Sequence, residues 1–142
     1  MTISEKQRAV TEEFLSLADW QEKYEMLIDL GKSSPAIPEG GKKDGLLIEG
    51  CQSKVWLKPE LKGGKLYFYA DSDALIPKGI AGLLIRIFSG HKPQDIARAD
   101  IGFLDAIGLR QFLSPMRSNG LSAMLSRIKL YASAYQARAG QL

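Results

Sequence analysis

The sequence predicts an α+β fold, with a small antiparallel three-stranded sheet and helices packed on one of its faces. Three features predict it. Two amphipathic helical stretches open the chain, three short alternating segments follow between residues 46 and 70, and helical periodicity returns after Asp73 and runs almost to the end. At 142 residues the chain is expected to form one domain, residues 1–142, large enough for a single core. Hydrophobic residues make up 45% and charged residues 25%, the ordinary globular balance, which excludes a disordered chain and a fibre. Met1–Gln7 has no signal-type apolar run and no later stretch reaches spanning length, so a cytoplasmic protein without membrane attachment is expected.

Ser4 with Gln7 three residues on reads as a capping box, and Val10, Phe14 and Leu17 then recur at helical spacing. Asp19 with Glu22 repeats the signal for a second helix, whose apolar stripe of Trp20, Tyr24, Leu27 and Ile28 is predicted to end at a Gly31 C-cap. Lys32–Gly45 holds Pro35, Pro38, Gly40 and Gly41 without a sustained period, which predicts a loop. Strands are predicted at 46–49, 54–58 and 65–70, the last two joined through Gly63-Gly64. Val55 and Leu57, and likewise Leu66, Phe68 and Ala70, alternate with polar or aromatic neighbours, so one sheet face is buried.

Ile80, Leu83, Leu84, Ile87 and Phe88 form the stripe of a helix apolar on its flanks as well, predicted to be central and buried and to close at Gly90. A short helix with Pro93 at its first position should run to Arg98, and one or two short turns broken at Gly108 should cover Phe103–Leu113. The last helix is predicted from about Ser118 or Asn119 to about Ala137, with Leu121, Met124, Leu125, Ile128 and Ala132 on one face.

A formal charge of +3 conceals an asymmetry. Residues 1–77 hold 10 Lys/Arg against 13 Asp/Glu, and residues 78–142 hold 9 against 3. The basic half has its charges scattered singly, without the clustered cations and interleaved aromatics of a nucleic-acid surface, so nucleic acid is not an expected partner. With one cysteine, Cys51, and one histidine, His91, an internal disulfide, a CxxC redox pair and a cysteine-ligated metal or cluster site are excluded by count. No metal and no resident cofactor are expected.

Cys51 lies at the predicted bend between the first two strands, in Glu49-Gly50-Cys51-Gln52-Ser53-Lys54-Val55-Trp56. On composition alone a lone cysteine is more often a small buried apolar residue than a nucleophile. Its position permits more: a thiol on a loop can be presented to another protein, Gly50 supplies backbone freedom for the approach, and sulfur passes between cysteines by thiolate attack on the outer sulfur of a persulfide. With no neighbouring thiol to resolve it, a persulfide on Cys51 would persist.

Gly50-Cys51-Gln52-Ser53-Lys54-Val55-Trp56 resembles the GCQSxVW signature of the SufE family of sulfur-acceptor proteins. Trp20–Tyr24, Leu30-Gly31, Asp71–Ala74, Pro93–Ile96 and Ser114–Leu121 resemble further family segments in the same order, so nearly the whole chain is covered. The resemblance implies a fold similar to IscU-type scaffold proteins. It also implies that Cys51 takes persulfide sulfur from a cysteine desulfurase of the SufS/CsdA type, stimulates that enzyme, and passes the sulfur to iron–sulfur cluster assembly through a scaffold or another acceptor. The pyridoxal phosphate belongs to the desulfurase. One cysteine cannot itself hold a cluster, and a homodimer is left open.

Around Cys51, Gln52 and Ser53 are expected to hold the loop through hydrogen bonds to backbone. Arg117 is read either as a guanidinium that stabilises a thiolate or persulfide anion or as a helix-start residue paired with a surface carboxylate. Asp73 is read either as a wall of a Cys51 pocket or, better for an Asp ahead of an apolar stripe, as a helix N-cap. His91, after Gly90, is expected to meet a helix C-terminus as an imidazolium. Two other functions compete: a Cys51–His91 hydrolase, which lacks an evident group to orient the imidazole, and a non-catalytic interaction module. The resting thiol is expected to be buried and brought outward at a partner.

Overall fold

The computed structural model describes the backbone of residues 1–51 and 53–140 and the side chains as far as Arg138, leaving Gln52 outside the description. Helices α1 (Ile3–Ser16) and α2 (Trp20–Ser33) lead through a long loop and a 3-10 turn at Asp44–Leu46 to strands β1 (Val55–Lys62) and β2 (Lys65–Ser72). Helix α3 (Leu75–Phe88), the short α4 (Pro93–Arg98), α5 (Phe103–Ala106) and α6 (Leu109–Phe112), and the long α7 (Pro115–Gly140) follow. The class is α+β, as the patterning predicts.

The sheet differs from the expectation. Among the described residues it has two antiparallel strands and not three. They pair from Val55↔Ser72 to Lys62↔Lys65 across a two-residue turn whose Gly63 and Gly64 both take positive φ, +57° and +80°, a conformation that glycine adopts without a steric cost. The expected strand at 46–49 shrinks to one bridge, Leu47↔Trp56, with the Ile48 N–H donating to the Val55 carbonyl at 2.8 Å. Farther along the same edge the Tyr131 hydroxyl of α7 donates to the Leu57 carbonyl at 3.3 Å and Pro59 has no N–H to offer, while Arg127 holds the incoming segment by donating to the Leu47 carbonyl at 3.5 Å. Beyond the bridge, a side chain of α7 and a proline thus stand where a third strand would bond.

The buried face of the hairpin is the predicted one: Val55, Leu57, Leu66, Phe68 and Ala70 are buried, and the intervening residues face outward. The outer edge of β2 is closed by loops. Leu66 exchanges backbone hydrogen bonds with Gly90 and His91, the Phe68 N–H donates to Ser89 Oγ, and the Ala70 N–H donates to the Pro35 carbonyl.

Helix α3 is the central element, with Ile80, Leu83, Leu84, Ile87 and Phe88 almost fully buried. Pro77 is its third residue, where no intrahelical N–H bond is due. Its packing against α2 is backbone to backbone. A Cβ on Gly79 would lie 2.3 Å from the Leu27 carbonyl oxygen, one on Gly82 2.6 Å from the Leu30 oxygen, and one on Gly31 2.8 Å from the Gly79 nitrogen. Gly31 is therefore a contact residue and not the predicted C-cap, and α2 continues to Ser33. Other termini shift for equally local reasons. The capping box of α1 is Thr2 with Glu5, two residues ahead of the predicted Ser4 and Gln7, with both reciprocal bonds made. Helix α7 starts at Pro115, before Ser118, because Ser114 Oγ accepts the Arg117 N–H and proline suits the first helical position. Asp19 caps α2 as expected. Lys129 ties α4 to α7 by donating to the carbonyls of Ile96, Ala97 and Ala99.

His91 departs from its expectation. Its ring caps no helix end by a hydrogen bond among the described residues. Its Nε2 is buried without a hydrogen-bond partner among the described residues. Burial, followed by the positive charges of Lys6, the N-terminal amine and Lys65, lowers its pKa below the usual imidazole value against the opposing pull of Asp95.

Two outcomes follow from this packing. Gly79→Ala should lower the unfolding free energy by about 3 kcal/mol, the upper range for overpacking, measured by urea denaturation; a loss below about 1 kcal/mol would mean that α2 can move away freely. For His91, the unfolded ring takes up a proton near pH 6.5 while the folded one resists, so stability is full above about pH 6.5 and falls with the pH below it. His91→Leu should flatten this decline between about pH 7 and pH 5, read from denaturation midpoints; an unchanged slope would exclude His91 as its source.

Candidate functional site

The loop that carries Cys51 is anchored at both ends by residues that elementary hydrogen bonding can hold. On the entering side the buried Ile48 is bonded to Val55. On the leaving side the Lys54 N–H donates to Asp73 Oδ1 at 3.1 Å, the Asp73 N–H donates to the Lys54 carbonyl at 3.3 Å, and Ser72 Oγ donates to the same carbonyl at 2.7 Å. Between them Gly50 takes φ +92°, a region that side-chain-bearing residues rarely enter, and turns the chain toward α7. Asp73 is therefore a tie on the loop and not the N-cap of α3, whose cap is Ala74 without a side-chain bond. It does not line the pocket described next.

Cys51 is half-buried and forms part of a cavity of about 340 Å³. Ile28 of α2, residues 74–77 and Ile80 at the start of α3, and Met116, Arg117, Gly120 and Met124 of α7 make up its walls, with Ser53 beside the thiol. Cys51 Sγ donates a weak hydrogen bond to the Gly120 carbonyl at 3.8 Å. Burial pushes the thiol pKa up, and no neighbouring charge offsets it. Burial thus favours the thiol over the thiolate at rest.

Arg117 lines the same cavity from an exposed position and has no ion pair among the described residues, so its alternative role as one half of a surface salt bridge is not realised there. Of the expected site residues, Cys51, Ser53 and Arg117 share the cavity, Gly50 shapes the approach, Asp73 anchors the loop, and Gln52 lies outside the described residues. Ser53 makes no loop-holding hydrogen bond among those described; Ser72 and Asp73 do that work. Sequence reasoning did not single out Ile28, Leu75, Met116, Met124 or Gly120 for the site. The one available signal was Gly120, a glycine inside a long helical pattern, which costs helix stability and so calls for a packing reason.

His91 is far from this cavity. It pairs with Leu66 at the turn end of the hairpin, whereas the Cys51 loop is tied to the far end of β2 at Ser72 and Asp73. Six strand residues separate the two places, roughly 20 Å. The arrangement does not assemble a Cys51–His91 pair.

The raised thiol pKa sets a measurable chemistry. Alkylation of Cys51 by iodoacetamide needs the thiolate, so its rate should rise with pH to a midpoint above that of the same protein in denaturant; a midpoint at or below the denatured value would contradict the burial of the resting thiol.

The SufE family model, described as an Fe–S metabolism associated domain, matches residues 8–132. An uncharacterised SufE-like protein of Rhizobium meliloti (strain 1021) is 36% identical over 125 residues, spanning 84% of this chain and 89% of that protein. The solution structure of a hypothetical protein from Thermus thermophilus superposes with a TM-score of 0.78 at 26% identity, covering 93% of this chain and 96% of the other. The family match takes in the Cys51 loop, the α3 start and the cavity-lining turns of α7 together, and on this footing the chain belongs to the SufE family.

Proposed function

We propose that Cys51 is a sulfur acceptor that takes a persulfide sulfur from a cysteine desulfurase, stimulates that enzyme by clearing its product, and delivers the sulfur to iron–sulfur cluster assembly. The observation that carries this reading is the setting of Cys51: the sole cysteine of the chain stands in the wall of a largely apolar cavity that Arg117 also lines. Family membership supports the association with Fe–S metabolism.

The step is a displacement between sulfurs. The Cys51 thiolate attacks the outer sulfur of the donor persulfide, a new S–S bond forms on Cys51, the donor's own S–S bond breaks, and the donor cysteine leaves as a thiolate. Nothing is oxidised or reduced overall, since the sulfane sulfur keeps its oxidation state. Because burial favours the thiol over the thiolate, a proton must leave before attack, and a guanidinium such as that of Arg117 favours the anion that results. The product, a persulfide anion, gains from the same cation. Absence of a second thiol in the chain protects the cargo from intramolecular release as sulfide. The pyridoxal phosphate chemistry that generates the donor persulfide belongs to the partner enzyme.

Incubation with a cysteine desulfurase and cysteine should make the protein heavier by one sulfur atom, located on Cys51 by peptide mass spectrometry. Cys51→Ser should stay unmodified and should fail to accelerate desulfurase turnover in the absence of added reductant. An unmodified Cys51, or full acceleration by the serine variant, would sink the reading.

A further inference from the structure

Beneath the thiol, helix α7 carries a residue with no side chain, Gly120. A Cβ placed on Gly120 would have as its three nearest neighbours Cys51 Sγ at 3.4 Å, Cys51 Cβ at 3.9 Å and Cys51 Cα at 4.0 Å. No other described residue outside the helix approaches that position as closely. Gly120 is buried inside a helix where alanine is the better helix former, and Cys51 packs over the face where a longer side chain would extend. The same residue supplies the carbonyl that accepts the thiol proton. One turn on, the loop makes a second close contact, since a Cβ on Gly50 would lie 3.4 Å from Ala123 Cβ.

We propose that Gly120 is a positioning residue that parks the empty Cys51 thiol and cannot park the sulfur-loaded one. The inference rests on the reading of Cys51 as a sulfur acceptor. It follows from what the contact requires. The parked state needs a hydrogen between Sγ and the Gly120 oxygen, which are 3.8 Å apart. A persulfide anion has no such hydrogen. A second sulfur bonded about 2.05 Å from Sγ in the direction of that hydrogen would stand well inside contact distance of the oxygen, with its negative charge facing a carbonyl dipole. The outer sulfur must therefore turn away from Gly120 toward the cavity and Arg117, and the loop loses its hold on α7. Loading is then its own signal: the empty carrier keeps its thiol withdrawn, and the charged carrier is released from the helix.

The test loads the full chain without a desulfurase, so that its failure is separate from failure of the donor assignment. Inorganic polysulfide suffices: the Cys51 thiolate takes a terminal sulfur of the polysulfide dianion as Cys–S–S⁻, and a dianion shorter by one sulfur leaves. Intact mass confirms the load, and hydrogen exchange is then compared between empty and loaded protein in peptides covering residues 46–56 and 117–124. Loading should speed exchange several-fold in both peptides and leave the distal part of α7 unchanged; equal exchange would overturn the proposal. Independently, Gly120→Ala adds a Cβ at ordinary contact distance from Sγ, 3.4 Å, and Gly120→Leu extends carbon beyond it toward the parked thiol. Both should fold, because the nearest group they meet is Cys51; the empty alanine variant should be alkylated at close to the wild-type rate and the leucine variant faster. Alkylation of the leucine variant at the wild-type rate would equally overturn the proposal.

Discussion

Helices α2 and α3 meet with their backbones in contact, and the rest of the molecule is arranged around that meeting. Gly31, Gly79 and Gly82 bring the main chains closer than any side chain permits, with Leu27 and Leu30 carbonyls filling the space where Cβ atoms would be. Two consequences follow. The apolar stripe of α3 is pushed toward β2 and α7, where Ile80, Leu83, Leu84 and Ile87 are sealed. And the first turn of α3 is set beside Ile28 of α2, so that these two elements form one side of the Cys51 cavity while α7 forms the other. The loop of Cys51 is hung across this frame by Ser72 and Asp73, which are also the residues that lead into α3. Site and core therefore share the same supports.

Much of this is legible in the sequence where hydrophobic periodicity speaks. The stripe of α3, the period of α7, the Asp19 cap and the glycine pair at 63–64 each correspond to a single dominant local term, and they place these elements correctly. What is not legible depends on partners distant in the chain. Leu46–Glu49 has a strand's composition, but the groups it and the neighbouring edge bond to include Arg127 and Tyr131, more than 70 residues on. Gly31 carries the local signature of a helix end and is instead consumed by packing against Gly79. The Thr2–Glu5 and Ser4–Gln7 spacings are equivalent as patterns; burial of Ile3 at the first helical position favours the earlier one.

The site divides in the same way. Cys51 and Arg117 are found from residue type and motif, and the fold brings them to one cavity. Asp73 is read as a cap from its place before an apolar run, yet its carboxylate turns backward to accept the Lys54 N–H. The apolar wall cannot be read in advance, since Ile28 and Met124 look like any other core residue until the helices are placed. A thiol held by burial and a helix carbonyl is a weak nucleophile at rest, and this is a property of three-dimensional surroundings that no motif contains.

The hairpin has a further meaning. Its two outer edges, which in an isolated ribbon would offer free N–H and C=O groups to any passing chain, are both partly covered: that of β1 by Ile48, Tyr131 and the ring nitrogen of Pro59, that of β2 by Ser89, Gly90, His91 and Pro35. A bare two-stranded ribbon is prone to stack edge to edge into aggregates. Covering the edges disfavours recognition by strand addition, so encounters with other proteins fall to side chains, loops and helix surfaces, contacts that can be made and broken quickly.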